Sequence, residues 1–167
     1  ISGRTPTAER VWDMQKILDW ALKDSRINRE MIIMTGNSGG GVLTAYTSAL
    51  DERIKVSLPS CSFTSITSNT GYIFHCDCCA IPGIKDWGDF KDLGGLIAPR
   101  SLLIVHGIKD GLHSKIDVER TTDAIKAIYS DRKASDKMSM RWGKSGHKFY
   151  PDIMWPFIQK ALAEISK

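Results

Sequence analysis

Met31-Ile32-Ile33-Met34-Thr35-Gly36-Asn37-Ser38-Gly39-Gly40-Gly41-Val42-Leu43-Thr44-Ala45-Tyr46 is the stretch that decides the fold. Its first five residues form a short apolar run of strand character. Gly36 to Gly40 then fit G-x-S-x-G, and the residues after them are small and helix-compatible. Strand, sharp turn and helix in that order are the context in which this pattern acts as a nucleophile elbow. The turn forces Ser38 into a strained backbone conformation. Gly36 and Gly40 let strand and helix approach closely, and Gly39 leaves its N–H free to face a substrate oxygen. A glycine-rich turn between strand and helix can also bind phosphate, or simply turn. Partners further along the chain decide between these readings.

Outward from the elbow, the pattern alternates. Before it, Thr5 and Pro6 read as a helix start, and Val11, Met14, Leu18, Ala21 and Leu22 recur at helical spacing. Asp24 to Asn28 end that helix. After the elbow, a helix runs to Leu50, Asp51-Glu52 turn the chain, and residues 54–58 form a second strand closed by Pro59. Residues 101–106 and 137–142 read as third and fourth strands. Helices are expected over 116–129 and 151–165, the last with Ile153, Phe157, Ile158, Ala161, Leu162 and Ile165 inward. Strands alternating with helices predict an α/β fold with a mostly parallel sheet and flanking helices. Between residues 60 and 99 the regular pattern gives way to an irregular excursion rich in Gly, Pro and aromatics, with short helices expected around 64–74 and 90–96.

A serine hydroxyl needs a histidine to take its proton and an acid to orient that histidine. On the fold that a nucleophile elbow marks, the order is Ser, acid, His, and active groups stand at the carboxyl ends of parallel strands. Asp110 lies just past the third strand, in Gly107-Ile108-Lys109-Asp110-Gly111. Asp117 and Glu119 stand at a helix start, where the helix dipole accounts for a carboxylate. His147 lies just past the fourth strand, in Gly143-Lys144-Ser145-Gly146-His147. His106 ends a strand and is expected to pack or bond locally. His113 precedes the fourth strand, on the wrong side for the base, and His75 belongs to a cysteine cluster. Order and placement select Ser38, Asp110 and His147 as catalytic residues, with the Gly39 N–H in the oxyanion hole.

Together these residues resemble the α/β-hydrolase superfamily. Within it the chain is similar to acetyl xylan esterase-like and dienelactone hydrolase-like esterases. The likeness runs through residues 10–13, 35–41, 81–84, 97–104, the Gly107 to Asp110 turn and Ser145-Gly146-His147. It implies a Ser38–Asp110–His147 triad hydrolysing a carboxylic ester through an acyl-enzyme, with a short-acyl, acetylated or carbohydrate ester as substrate. A prolyl-oligopeptidase-type peptidase shares the elbow and triad order, and a non-catalytic binding domain can use the same scaffold. The superfamily sheet has eight strands, of which residues 1–167 supply what look like strands five to eight. The loop that gives the second oxyanion donor has no counterpart. The first strand would leave an apolar edge open, which proteins avoid. The expectation is the C-terminal portion of a single catalytic domain, its edge covered by a missing N-terminal half or by a second copy of the chain.

Composition sets the remaining bounds. The 167 residues are 42% hydrophobic and 25% charged, with a net charge of +4, enough for one domain with a proper core. The basic residues are scattered, and the densest group, Arg132, Lys133 and Lys137, is broken by Asp131 and Asp136. No nucleic-acid partner is expected. No apolar stretch approaches a membrane span, so no membrane partner is expected either. His75-Cys76-Asp77-Cys78-Cys79 is too crowded for one tetrahedral metal centre, and Cys61 stands apart. Packed free thiols, no metal and no cofactor are the reading. Trp87, Phe90, Tyr72 and Phe74 read as core beneath the excursion, with a sugar-binding platform as the alternative. Arg100 reads as half of a structural ion pair.

Overall fold

The computed structural model describes residues 3–67 and 79–166. The Thr5 hydroxyl accepts the Ala8 N–H at 3.1 Å and Pro6 opens the first turn, so the chain enters helix α1 (Pro6–Ala21) where the sequence predicts it. There follow β1 (Ile33–Asn37), α2 (Gly39–Leu50), β2 (Val56–Ser60), α3 (Phe90–Ile97), β3 (Ser101–Gly107), α4 (Lys115–Asp131), β4 (Met138–Gly143) and α5 (Pro151–Ile165). The strands form one parallel sheet in chain order, β1-β2-β3-β4.

Two strands sit later than the sequence suggests. β1 starts at Ile33 and continues through Gly36 to Asn37, and β2 runs through Pro59 to Ser60. Pro59 has no N–H to give. It lies opposite Gly36 of β1, while Val56, Ser57 and Ser60 carry the ladder to β3. A proline that normally ends a central strand is thus absorbed within one.

β3 explains the layering. Leu102 and Ile104 point to one face, where they meet Val42 and Tyr46 of α2, Ile97 of α3 and Ile125 and Tyr129 of α4. Leu103 and Val105 point to the other, where Met154, Ile158 and Ala161 of α5 cover them together with Val56 and Leu58 of β2. All seven β3 residues are buried, as an apolar run in a doubly covered parallel sheet requires. Burying each such side chain is worth about 1.5–3 kcal/mol. Met154, which the helical pattern alone does not single out, is among the most buried residues of α5. β1 differs: it lies at an edge of the sheet, Thr35 is exposed and its other residues are half-buried.

The excursion keeps only part of its expected shape. α3 forms with a capping box in which Asp89 and Asp92 reciprocate. Residues 64–67 are turns and bends, and the rest of the helix expected around 64–74 lies outside the described residues, as do Tyr72 and Phe74. Phe90 is core, edge-on to Phe63 at 5.2 Å. Trp87 is not core: it is 89% exposed. Arg100 is structural, but its partners are carbonyls rather than a carboxylate. It donates to Asp51 O, Ile54 O and Ser48 O, tying the end of α2 and the turn into β2 to the start of β3. Among the described residues, no helix is long and apolar enough to cross a membrane.

Candidate active site

Ser38 occupies the turn between β1 and α2 with φ 57° and ψ −122°, a conformation that L-residues avoid. Its backbone is held by two bonds, from its own N–H to Ser60 O and from the Val42 N–H to its carbonyl, both at 2.9 Å. A serine before a helix ordinarily caps it through the hydroxyl. Here the side chain makes no capping bond, so the hydroxyl is not spent on the helix. The first N–H groups of α2, Gly39 among them, have no partner within the helix and carry its positive dipole end. A Cβ on Gly36 would overlap the Gly40 backbone, and one on Gly41 would overlap Ser62 and Ser60. Gly36 and Gly41 therefore permit the close approach. A Cβ on Gly40 would meet nothing, which corrects the expectation that Gly40 is needed for packing.

Asp110 and His147 come together from the loops after β3 and β4. His147 Nδ1 lies 2.8 Å from Asp110 Oδ2. The Asp110 side chain is 1% exposed and that of His147 is 25% exposed. The Leu112 N–H donates to the other carboxylate oxygen at 3.0 Å. Burial works to raise the Asp110 carboxyl, but the Leu112 N–H and the His147 imidazole outweigh it, and the group titrates below its ordinary value. A carboxylate accepting from Nδ1 favours the tautomer in which Nε2 is free to accept a proton. Asp117 and Glu119 are occupied elsewhere, beside Arg120 and Lys115.

The two loops are zipped to each other. Ile108 N–H donates to Gly143 O and Lys109 N–H to Ser145 O, at 2.8 and 2.9 Å. The Tyr150 hydroxyl donates to Gly146 O at 2.6 Å, one residue before His147. Ser38, Asp110 and His147 thus stand at the carboxyl end of one parallel sheet. The structure joins Asp110 to His147 directly. Among the described residues no hydrogen bond joins Ser38 to His147.

Two residues close to the pair were not selected by sequence reasoning. Cys61 follows β2 immediately, is fully buried, and places its thiol near both Asp110 and His147. Burial pushes that thiol up. His113 is buried in the Asp110 loop, with Nε2 3.2 Å from Cys61 O and its ring 6.2 Å from that of His147. The sequence offers no local signal for Cys61, because Pro59 makes the strand before it read as ending at residue 58. His106 packs locally as expected. It is fully buried, its Nε2 accepts the Phe63 N–H at 3.2 Å, and burial pushes its titration down to about 3. Neither Cys61 nor Cys79 is in a disulfide, and His75, Cys76 and Cys78 lie outside the described residues.

No protein-family model matches the chain. It is 26% identical over 155 residues to "Putative hydrolase YtaP" of Bacillus subtilis (strain 168), a match covering 88% of this chain and 50% of that one. Among solved structures it is similar to a carbohydrate esterase family 15 glucuronoyl esterase from Caldicellulosiruptor kristjansonii. The TM-score is 0.76 and the identity 20%, over 94% of this chain and 51% of the other. Methylesterase BT1017 gives a TM-score of 0.73 at 24% identity, over 96% and 36%. The glucuronoyl esterase catalytic domain from Hypocrea jecorina gives 0.74 at 21%, over 92% and 51%. The chain spans about half the length of the curated relative it matches. A parallel sheet in chain order, a strained serine turn and this likeness in backbone together give the chain the α/β-hydrolase fold.

Proposed function

We propose that the protein is a serine carboxylic-ester hydrolase. The observation that carries this is the His147–Asp110 bond of 2.8 Å, built by the loops of two neighbouring strands at the sheet end where Ser38 sits in a strained turn with an uncommitted hydroxyl. In this reading Ser38 attacks the ester carbonyl and His147 Nε2 takes its proton. Asp110 holds the imidazole and stabilises it when charged. The Gly39 N–H receives the oxyanion, water releases the acid from the acyl-enzyme, and His147 returns the proton to the leaving alcohol before that. One oxyanion donor of this kind is worth about 3 kcal/mol in the transition state.

The comparisons support a proposal for the substrate class. One similar structure is by name a carbohydrate esterase and another a glucuronoyl esterase, which favours an ester of a carbohydrate, with a short acetyl group as the first substrate to try. The direct test is labelling by a fluorophosphonate probe in the full protein. Labelling is expected at Ser38 and lost in Ser38→Ala. Persistent labelling in that variant would remove the assignment. Acetylated xylo-oligosaccharide and a methyl uronate ester, assayed side by side, then separate acetyl from uronoyl specificity.

A further inference from the structure

Three adjacent parallel strands each deliver one metal-binding side chain to the same point. Cys61 follows β2, Asp110 follows β3 and His147 follows β4. A ring nitrogen of His147, a carboxylate oxygen of Asp110 and Cys61 Sγ all lie within 4.8 Å of one another. Nδ1 is the nitrogen turned toward Asp110. Cys61 reaches this point because its backbone takes φ 48° while its N–H donates to Val105 O at 2.8 Å, turning the residue just past the ladder. In a tetrahedral zinc site the donor atoms stand roughly 3.3–3.6 Å apart, given metal–ligand bonds of about 2.0–2.3 Å. To reach that range Nδ1 and Oδ2, now 2.8 Å apart, would separate by about half an ångström, and Sγ starts no more than 4.8 Å from a ring nitrogen and a carboxylate oxygen of the pair. Of the three side chains that of His147 is the most exposed, at 25%.

We propose that Cys61, Asp110 and His147 form an inhibitory site for a borderline-soft divalent cation, zinc or cadmium. One thiolate, one imidazole and one carboxylate form a donor set that favours such ions over magnesium or calcium. Water completes the fourth position. Binding balances as follows. The Cys61 thiol loses its proton to solvent, and the neutral His147 imidazole moves its proton from Nδ1 to Nε2. The cation then takes the sulfur, Nδ1 and the Asp110 oxygen, for a net release of one proton. The consequence is chemical. Nε2 becomes an N–H donor and can no longer accept the Ser38 proton. The cation switches the base off by reversing its tautomer and leaves Ser38 untouched.

The inhibitory part rests on the hydrolase reading, whereas the binding part does not. The test uses the full protein with Cys76, Cys78 and Cys79 replaced by serine, so that Cys61 is the only thiol contributed by this segment. Cadmium titration is expected to give a thiolate-to-metal charge-transfer band that saturates at one equivalent. The band should be lost in Cys61→Ser and weakened in His147→Gln. In the same background, zinc should suppress ester turnover and a chelator should restore it. Cys61→Ser should raise the half-inhibiting zinc concentration by more than about tenfold, the lower range for losing even a supporting contact of a metal ligand. Each variant is compared with its own metal-free rate. Absence of the band, or zinc inhibition unchanged by Cys61→Ser, would overturn the site. A saturating band in a protein without ester turnover would support the site and remove the hydrolase reading instead.

Discussion

At the scale of single residues, Ser38 carries two separable properties, a hydroxyl and a strained backbone. Ser38→Gly removes both. It should abolish fluorophosphonate labelling and raise stability by about 1 kcal/mol or more, because glycine takes φ 57° without penalty. A lowered denaturation midpoint in Ser38→Gly would show that the turn is not strained. Asp110→Asn should cost about 10⁴ in turnover by releasing the imidazole tautomer, whereas Asp117→Asn and Glu119→Gln should cost little. Rates measured for the three variants decide between them. These residues were legible because each stands at a position that chain order alone defines: one in an elbow, two just past a strand. Cys61 and His113 were not legible. Their place beside His147 depends on strand register and on a left-handed backbone at residue 61, which no local pattern announces.

At the scale of elements, β3 brings a histidine into the core at its carboxyl end. His106 prefers to be neutral when folded, because burial, reinforced by His113 and His147, opposes its charge. Its ordinary value is 6.5 and its folded value about 3, so the unfolded chain binds the extra proton between those limits. Stability is therefore full above pH 6.5 and falls as the pH drops toward 3, by at most about 1.4 kcal/mol per unit. Urea midpoints at pH 7 and pH 5 should converge in His106→Gln and diverge in the native protein. Equal divergence in both would assign the acid sensitivity to another group. The β4–α5 connection makes a steric demand of its own. A Cβ on Gly143 would enter the Tyr150 ring, whose hydroxyl holds the residue before His147. Gly143→Ala should cost roughly 1–3 kcal/mol and lower turnover with it. Calorimetry and rate measurements on that variant check both. α4 and α5 were legible almost to the residue, since apolar spacing marks an amphipathic helix. β2 was not, since Pro59 reads as an end and is instead carried inside a parallel ladder.

At the scale of the whole molecule, the two edges of the sheet are unlike its middle. β2 and β3 are buried throughout, whereas β1 is half-exposed along its length. Residues 1–167 expressed alone are expected to associate through that edge and to turn over esters poorly. Met34→Lys should shift them toward monomer. Light scattering and an aryl-ester assay measure both. A monomer with ordinary esterase rates would show that the edge needs no cover. The parallel sheet was legible from alternation of element types, and its edge from the absence of strands before the elbow. The strand order β1-β2-β3-β4 has one more consequence, which concerns time. Chains emerge from the ribosome at about 5–20 residues per second and fold from the leading end. Each new strand here can settle beside the one made just before it. The elbow of Ser38 is synthesised first, Asp110 seconds later, and His147 only after β4 has followed. Under the proposed mechanism the growing chain would hold Ser38 with no base to activate it, and would stay chemically silent on the ribosome until the loop carrying His147 closes on Asp110.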